Sequence, residues 1–334
     1  MKFIKYPLFT LLSVMLLIGC NNSQTKNPTT TNKNKTNINS KYYSPFTNEE
    51  VDKNIASHIP FMVMIENSTN SRPQSGLSDA SIIYETSAEG GIPRFIALFQ
   101  QNYPEKIGPV RSVRPYFIDI AEFFNIPFAH CGGSEESLNE IAASTSLMSI
   151  NEISNGKYFW RDKNRVAPHN LYTSSQNILN YIKDNNLEYK YNNPLNFNDK
   201  YFNSSKLNSV NNIKIVINKY YNTSYELEND LFIKYMDGIK SIDANNNKPL
   251  EFSNIVIQKT NITLASDNSH LIIPLTGSGE GYVISKGKYT EISWSKDNNS
   301  TNTILKDKEG NIVPLSSGKT IWHIIDNNTE VSFN

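Results

Sequence analysis

Apolar residues in this chain come in short runs, and that spacing limits what it can fold into. Residues 61–65, 81–86, 95–100 and 126–131 are apolar or β-branched stretches bounded by Gly, Pro, Asn or Ser. Runs this short are strands, because a helix needs a longer segment to bury one face. Helical spacing appears where Phe117, Ile118, Ala121 and Phe124 follow Pro115, a residue suited to a first helical turn. Ser137-Leu-Asn-Glu140 has capping-box spacing, and a further helix is expected over 174–183. From residue 213 onward the pattern is mostly strands, at 213–217, 231–236, 254–259, 281–284, 289–294 and 320–325. Ser285-Lys-Gly-Lys288 and Lys308-Glu-Gly-Asn311 read as hairpin turns. The fold class that follows is α+β with mixed α/β character: an N-terminal mixed sheet with helices over 42–190, and a mainly-β C-terminal domain over 210–334. A polar stretch rich in Asn and Tyr, at about 187–209, separates the two.

The first 19 residues read as a lipoprotein signal peptide. Lys2 and Lys5 precede an apolar stretch too short for a comfortable membrane span, which ends in Leu17-Ile18-Gly19-Cys20. That order places a lipid on Cys20 and anchors the chain at the extracytoplasmic face of the cell membrane. Residues 20–41 hold almost nothing apolar and read as a flexible tether. Cys131 is then the one remaining thiol, so the exported region is held together by its core and not by an internal disulfide.

The 334 residues carry 32 basic and 32 acidic side chains, a balance that argues against nucleic acid as a partner. Lysine is spread over the whole sequence. The six arginines, Arg72, Arg94, Arg111, Arg114, Arg161 and Arg165, all fall between positions 72 and 165. Guanidinium binds carboxylate or phosphate through a fork and keeps its charge when buried. The confinement therefore points to an anionic ligand. Candidate ligand-binding residues are Arg72, Asp79, Glu89, Arg94, Arg111, Arg114, Asp119, His130, Gly132, Gly133, Ser134 and His169. Strand, glycine pair and helix start at Gly132-Gly133-Ser134 would turn backbone N–H groups toward an anion. The competing possibility is that the arginines pair with Glu66, Asp79, Glu85, Glu89, Glu105 and Asp119 as scaffolding.

Cys131, His169 and Asn170 share the composition of a cysteine-nucleophile set, but a lone cysteine in an apolar strand is more simply a small buried side chain. His58, His130 and His169 lack metal-ligand spacing, so neither a metal nor another cofactor is expected. A Mg²⁺ ion would enter only with a phosphate ligand, held in part by Asp79.

Several longer motifs carry a family resemblance. These are Arg72-Pro-Gln-Ser-Gly-Leu-Ser-Asp79, Glu89-Gly-Gly-Ile-Pro-Arg94, Ile107-Gly-Pro-Val-Arg-Ser-Val-Arg-Pro-Tyr-Phe-Ile-Asp119 and His130-Cys-Gly-Gly-Ser134, with Pro168-His-Asn-Leu-Tyr172 and Gly277-Ser-Gly-Glu-Gly-Tyr-Val283 further on. Together they resemble the YerB-like lipoproteins of Gram-positive bacteria, which pair an N- and a C-terminal domain of unknown function. The resemblance implies a cell-envelope lipoprotein and brings no established reaction. The order of Arg72 and Ser78-Asp79, two strands, an arginine-rich turn and His-x-Gly-Gly also resembles the LytR–CpsA–Psr phosphotransferases. That likeness implies a lipid-pyrophosphate glycan as ligand class. Three functions therefore stand open: a binder of an anionic envelope ligand, a phosphotransferase on such a ligand, and an envelope protein–protein interaction module.

Overall fold

The computed structural model describes residues 40–334. The expected signal peptide, Cys20 and most of the expected tether lie outside the described residues. Residues Lys41–Asn334 form one compact unit.

A large mixed sheet runs through that unit. Its strands are β1 (Phe61–Glu66), β2 (Ile82–Ser87), β3 (Pro93–Phe99), β4 (Phe128–His130) and β5 (Ser149–Asn151) from the first half. A smaller sheet holds β6 (Asn212–Val216), β7 (Asn222–Glu228) and β8 (Leu231–Met236). The large sheet then takes β9 (Asn254–Thr260), β10 (Gly277–Ser285), β11 (Lys288–Lys296) and β12 (Thr320–Asp326), and β13 (Glu330–Phe333) closes the small one. Across the large sheet the order is β11-β10-β9-β12-β2-β3-β1-β4-β5. β12 is thus inserted between β9 and β2 and is parallel to both. β1, β4 and β5 are also parallel, while β3 runs antiparallel to its neighbours β1 and β2. Six strands therefore point the same way, and their carboxyl ends share one edge of the sheet.

The two faces of the sheet bury different partners, as strand alternation requires. Met62, Met64, Tyr84, Ile96, Leu98 and Trp322 pack on the helix α1 (Pro115–Phe124), whose Tyr116, Phe117, Ile118 and Phe124 are buried. Val63, Ile65, Ile83, Phe95, Ile257 and Ile321 share the other core with Ile213, Tyr225 and Phe232 of the small sheet. That core also takes Ile178 and Ile182 from a helix over Ser175–Asp184. The result is a helical layer, the large sheet, and a layer of small sheet plus one helix. Gly281 shows how close the packing is, since a Cβ there would come within 2.0 Å of the Ile257 carbonyl oxygen.

Two expectations need correcting. The capping residue of the helix α2 (Glu135–Ala143) is Ser134, three positions before the expected box, and its side chain accepts from the Ser137 N–H. The polar stretch near 187–209 does not divide the chain into independent sheets. Backbone hydrogen bonds between β2 and β12 join strands from either side of it, because β2 needs a neighbour on its second edge.

Candidate functional site

The carboxyl ends of the parallel strands collect the charged groups. β1 ends in Glu66, and β3, running the opposite way, starts beside it with Arg94 directly across the ladder. Glu89 sits just past the end of β2. The 107–114 segment follows the same edge through bridges from Ile65 to Val110 and from Val113 to Gly133. Three guanidinium groups meet there. Arg114 presents its fork to Glu89, with Nη2 donating to Oε2 at 2.8 Å and Nε donating to Oε1. Arg94 Nη2 donates to the same Oε2 at 3.0 Å, and its Nη1 donates to the Ser112 carbonyl. Burial and then the charges of Arg114 and Arg111 hold Arg94 below its ordinary range, so all three cations lie within electrostatic reach. Burial alone would raise the Glu89 carboxyl, yet the bond from Arg114 and the two arginine charges keep it below the usual range.

Glu66 is the second anchor and is nearly inaccessible. Ser68 Oγ donates to its Oε1 at 2.6 Å, His169 Nδ1 lies 2.8 Å from the same oxygen, and Arg111 Nη2 donates to it at 3.2 Å. Its Oε2 is 3.1 Å from Arg111 Nε but without hydrogen-bond alignment, a charge contact only. Arg111 remains 28% exposed, more than Arg94 or Arg114. Three arginines face two carboxylates, which leaves one uncompensated positive charge in a cluster that solvent reaches.

Of the expected site residues, the structure brings together Arg94, Arg111, Arg114, Glu89 and His169. The Gly132–Gly133–Ser134 turn adjoins them, but two of its three N–H groups are committed: Gly132 N donates to Asn151 and Ser134 N to the Val113 carbonyl. The others go elsewhere. Arg72 reaches the end of β1 but pairs with neither anchor: Nε donates to Asn67 Oδ1 at 3.1 Å, Nη2 to the Asn67 carbonyl at 3.0 Å and Nη1 to Asp237 at 2.5 Å, with the guanidinium over the Tyr221 ring. Asp79 precedes β2, at the opposite end of that strand from Glu89, and burial followed by Asp243 raises its carboxyl. A six-residue strand puts those two ends roughly 20 Å apart. Asp119 is on α1 and accepts from Asn299. His130 is fully buried between the Gly132 carbonyl and Ser149, and burial pushes it down to about 4, so it is a neutral strut. The Cys131 thiol donates to Glu152, and burial followed by that carboxylate pushes it up to about 11, which keeps it protonated. Among the described residues no group of three or more His, Cys, Asp or Glu side chains is placed to hold a metal.

Comparison with known proteins gives matches over most of the chain. The family described as the N-terminal domain of a protein of unknown function (DUF3048) matches residues 46–188, and its C-terminal domain matches 212–322. The Bacillus subtilis (strain 168) protein YerB, named as a lipoprotein, is 28% identical over 291 residues, covering 85% of this chain and 86% of the relative. The chain belongs to the YerB-like family. The crystal structure of the YerB protein from Bacillus subtilis superposes with a TM-score of 0.78, covering 87% of this chain and 99% of that one. The gap between the two DUF3048 matches falls in the polar stretch near 187–209, even though the sheet is continuous across it. No described helix is long and apolar enough to cross a membrane.

One charged group in this YerB-like chain was absent from the sequence-based candidates. Glu85 on β2 and His323 on β12 face the small sheet and meet Tyr225 and Lys234, all four being buried. Lys234 Nζ donates to Glu85 at 2.7 Å, to Tyr225 Oη at 3.1 Å and to Thr223 at 3.2 Å. With Lys234 donating to it, the Tyr225 hydroxyl is left to donate to His323 Nε2 at 2.6 Å. The legible signal was a lysine and a histidine inside the otherwise apolar runs Leu-Phe-Ile-Lys-Tyr-Met and Ile-Trp-His-Ile-Ile.

Proposed function

We propose that this YerB-like protein is a lipoprotein, anchored through Cys20 at the extracytoplasmic face of the membrane, that binds an anionic cell-envelope ligand with Arg94, Arg111 and Arg114. The supporting observation is the charge imbalance at the carboxyl edge: three guanidinium groups, two carboxylates, and Arg111 still open to solvent. Ligands of open α/β sheets bind at such strand ends. The phosphotransferase alternative gains nothing from the geometry, since Asp79 lies at the opposite end of β2 and the Arg72 guanidinium is spent on Asn67 and Asp237. Titration of the chain with pyrophosphate tests the binding function. Arg111→Gln should weaken binding about ten- to a hundredfold, as expected for one charge-assisted contact, and affinity should fall as salt rises. Arg72→Gln, whose guanidinium is spent on Asn67 and Asp237, should bind like the unaltered chain. Undiminished binding by Arg111→Gln would overturn the assignment.

A further inference from the structure

Glu89 occupies the place in the cluster that an external oxyanion would want. Its carboxylate fills the fork of Arg114 and also meets Arg94, on a tight turn where Gly90 and Gly91 both have positive φ. The other side of that turn borders a cavity of about 200 Å³ at the carboxyl ends of β2 and β12. Gly91 lines it, and Ile217, Ile262, Leu271 and Ile324 supply apolar walls. The two features share their boundaries. His270, adjacent to Leu271, brings Nε2 to 3.9 Å from Glu89 Oε1, and Thr86, also lining the cavity, pairs with Arg94 across the ladder. The carboxylates on the cavity wall are already engaged: Glu85 by Lys234, and Asp326 by the backbone N–H groups of Ile262 and Asn328.

We propose that a ligand's phosphate takes the place of the Glu89 carboxylate on Arg114 and Arg94 while an apolar body fills the adjoining cavity. The proposal rests on the anion-binding function above and narrows the ligand to a phosphate monoester with a short hydrocarbon chain. Charge selects phosphate over carboxylate. With Glu89 rotated out, Arg94, Arg111 and Arg114 face Glu66 alone, and the excess of two positive charges matches a doubly ionised phosphate, which the guanidinium fork also fits. The cavity's volume of about 200 Å³ exceeds the ~150 Å³ of an apolar cavity that takes up benzene, a six-carbon body. Glu89 acts as an internal competitor, so only the fraction of molecules with the fork free binds the ligand.

Calorimetric titration of the chain with inorganic phosphate and with hexyl phosphate tests this, using the unaltered chain, Glu89→Gln and Leu271→Trp. Hexyl phosphate should bind at least about tenfold tighter than inorganic phosphate, because its methylenes leave water. Glu89→Gln should tighten both. Leu271→Trp, which fills the cavity, should remove the hexyl advantage and keep inorganic phosphate binding. Equal affinities in the unaltered chain, or a hexyl advantage that survives Leu271→Trp, would overturn the proposal and leave anion binding standing. Binding of neither compound would overturn both. Should Glu89→Gln fail to fold, Glu89→Asp withdraws the carboxylate by one methylene and carries the same expectation, and weaker binding by the folded variant would count against Glu89 as a competitor.

Discussion

Lys234 is fully buried, and each of its three hydrogen bonds has an acceptor in Glu85, Tyr225 or Thr223. Burial lowers its pKa and Glu85 opposes that, so the pair persists only as a pair. Removing one partner strands a charge in a buried site, whereas removing both leaves an apolar contact between the sheets. Lys234→Met should therefore destabilise the fold by ~3–5 kcal/mol, and Glu85→Leu added to it should recover most of that loss. Denaturant melts of the single and double variants check this, and a double variant no better than the single one would refute it. The arginines behave differently. Arg94, Arg111 and Arg114 are held against carboxylates yet keep some of their surface open, unlike the buried His130. Their restriction to one segment was legible in the sequence. That Arg72 would turn to Asp237 was not, because its partner lies 165 positions away in a different sheet.

Helices α1 and α2 pack side by side and set acid against acid. Burial and then Glu122, against the opposing charge of Lys296, push Asp119 up to about 6. Burial and then Asp119, Glu122 and Glu136 push Glu140 up to about 7. Unfolded, both lose their protons near pH ~4. The folded chain thus holds more protons than the unfolded one between about pH 4 and 7, and stability contributed by these groups is lost as pH rises through that window. Asp119→Asn should flatten the fall in melting temperature from pH 5 to pH 8, and an unchanged slope would show that Asp119 is not responsible. At this scale most of the fold was readable. Pro115 does open α1, and all six strands expected after residue 212 are present. β7 escaped because Asn-Thr-Ser-Tyr-Glu-Leu-Glu is mostly polar: its inward face is Thr223, Tyr225 and a partly buried Leu227, and Glu226 and Glu228 meet solvent.

Residues 41–334 are knitted together by β12, which crosses from the far end of the sequence to lie between β9 and β2. Nothing local in Thr320–Asp326 specifies β2 as its neighbour, so composition showed where the chain turns polar and not that one sheet spans the turn. Residues 41–188 alone would leave the β2 edge bare and the core beneath the small sheet uncovered. That fragment should lack the cooperative melt of the full chain, and a chain nicked near residue 195 should stay associated on gel filtration; a folded, monomeric 41–188 would contradict this. The same topology gathers Glu66, Glu89, Arg94, Arg111 and Arg114 on one edge, and that edge is the centre of the functional account. Side-chain NMR of the arginine Nε–H groups during a pyrophosphate titration addresses it most directly. Arg94, Arg111 and Arg114 should shift together with a single affinity while Arg72 and Arg165 stay still. Resonances that do not move, or that all move alike, would contradict an anion site at this edge.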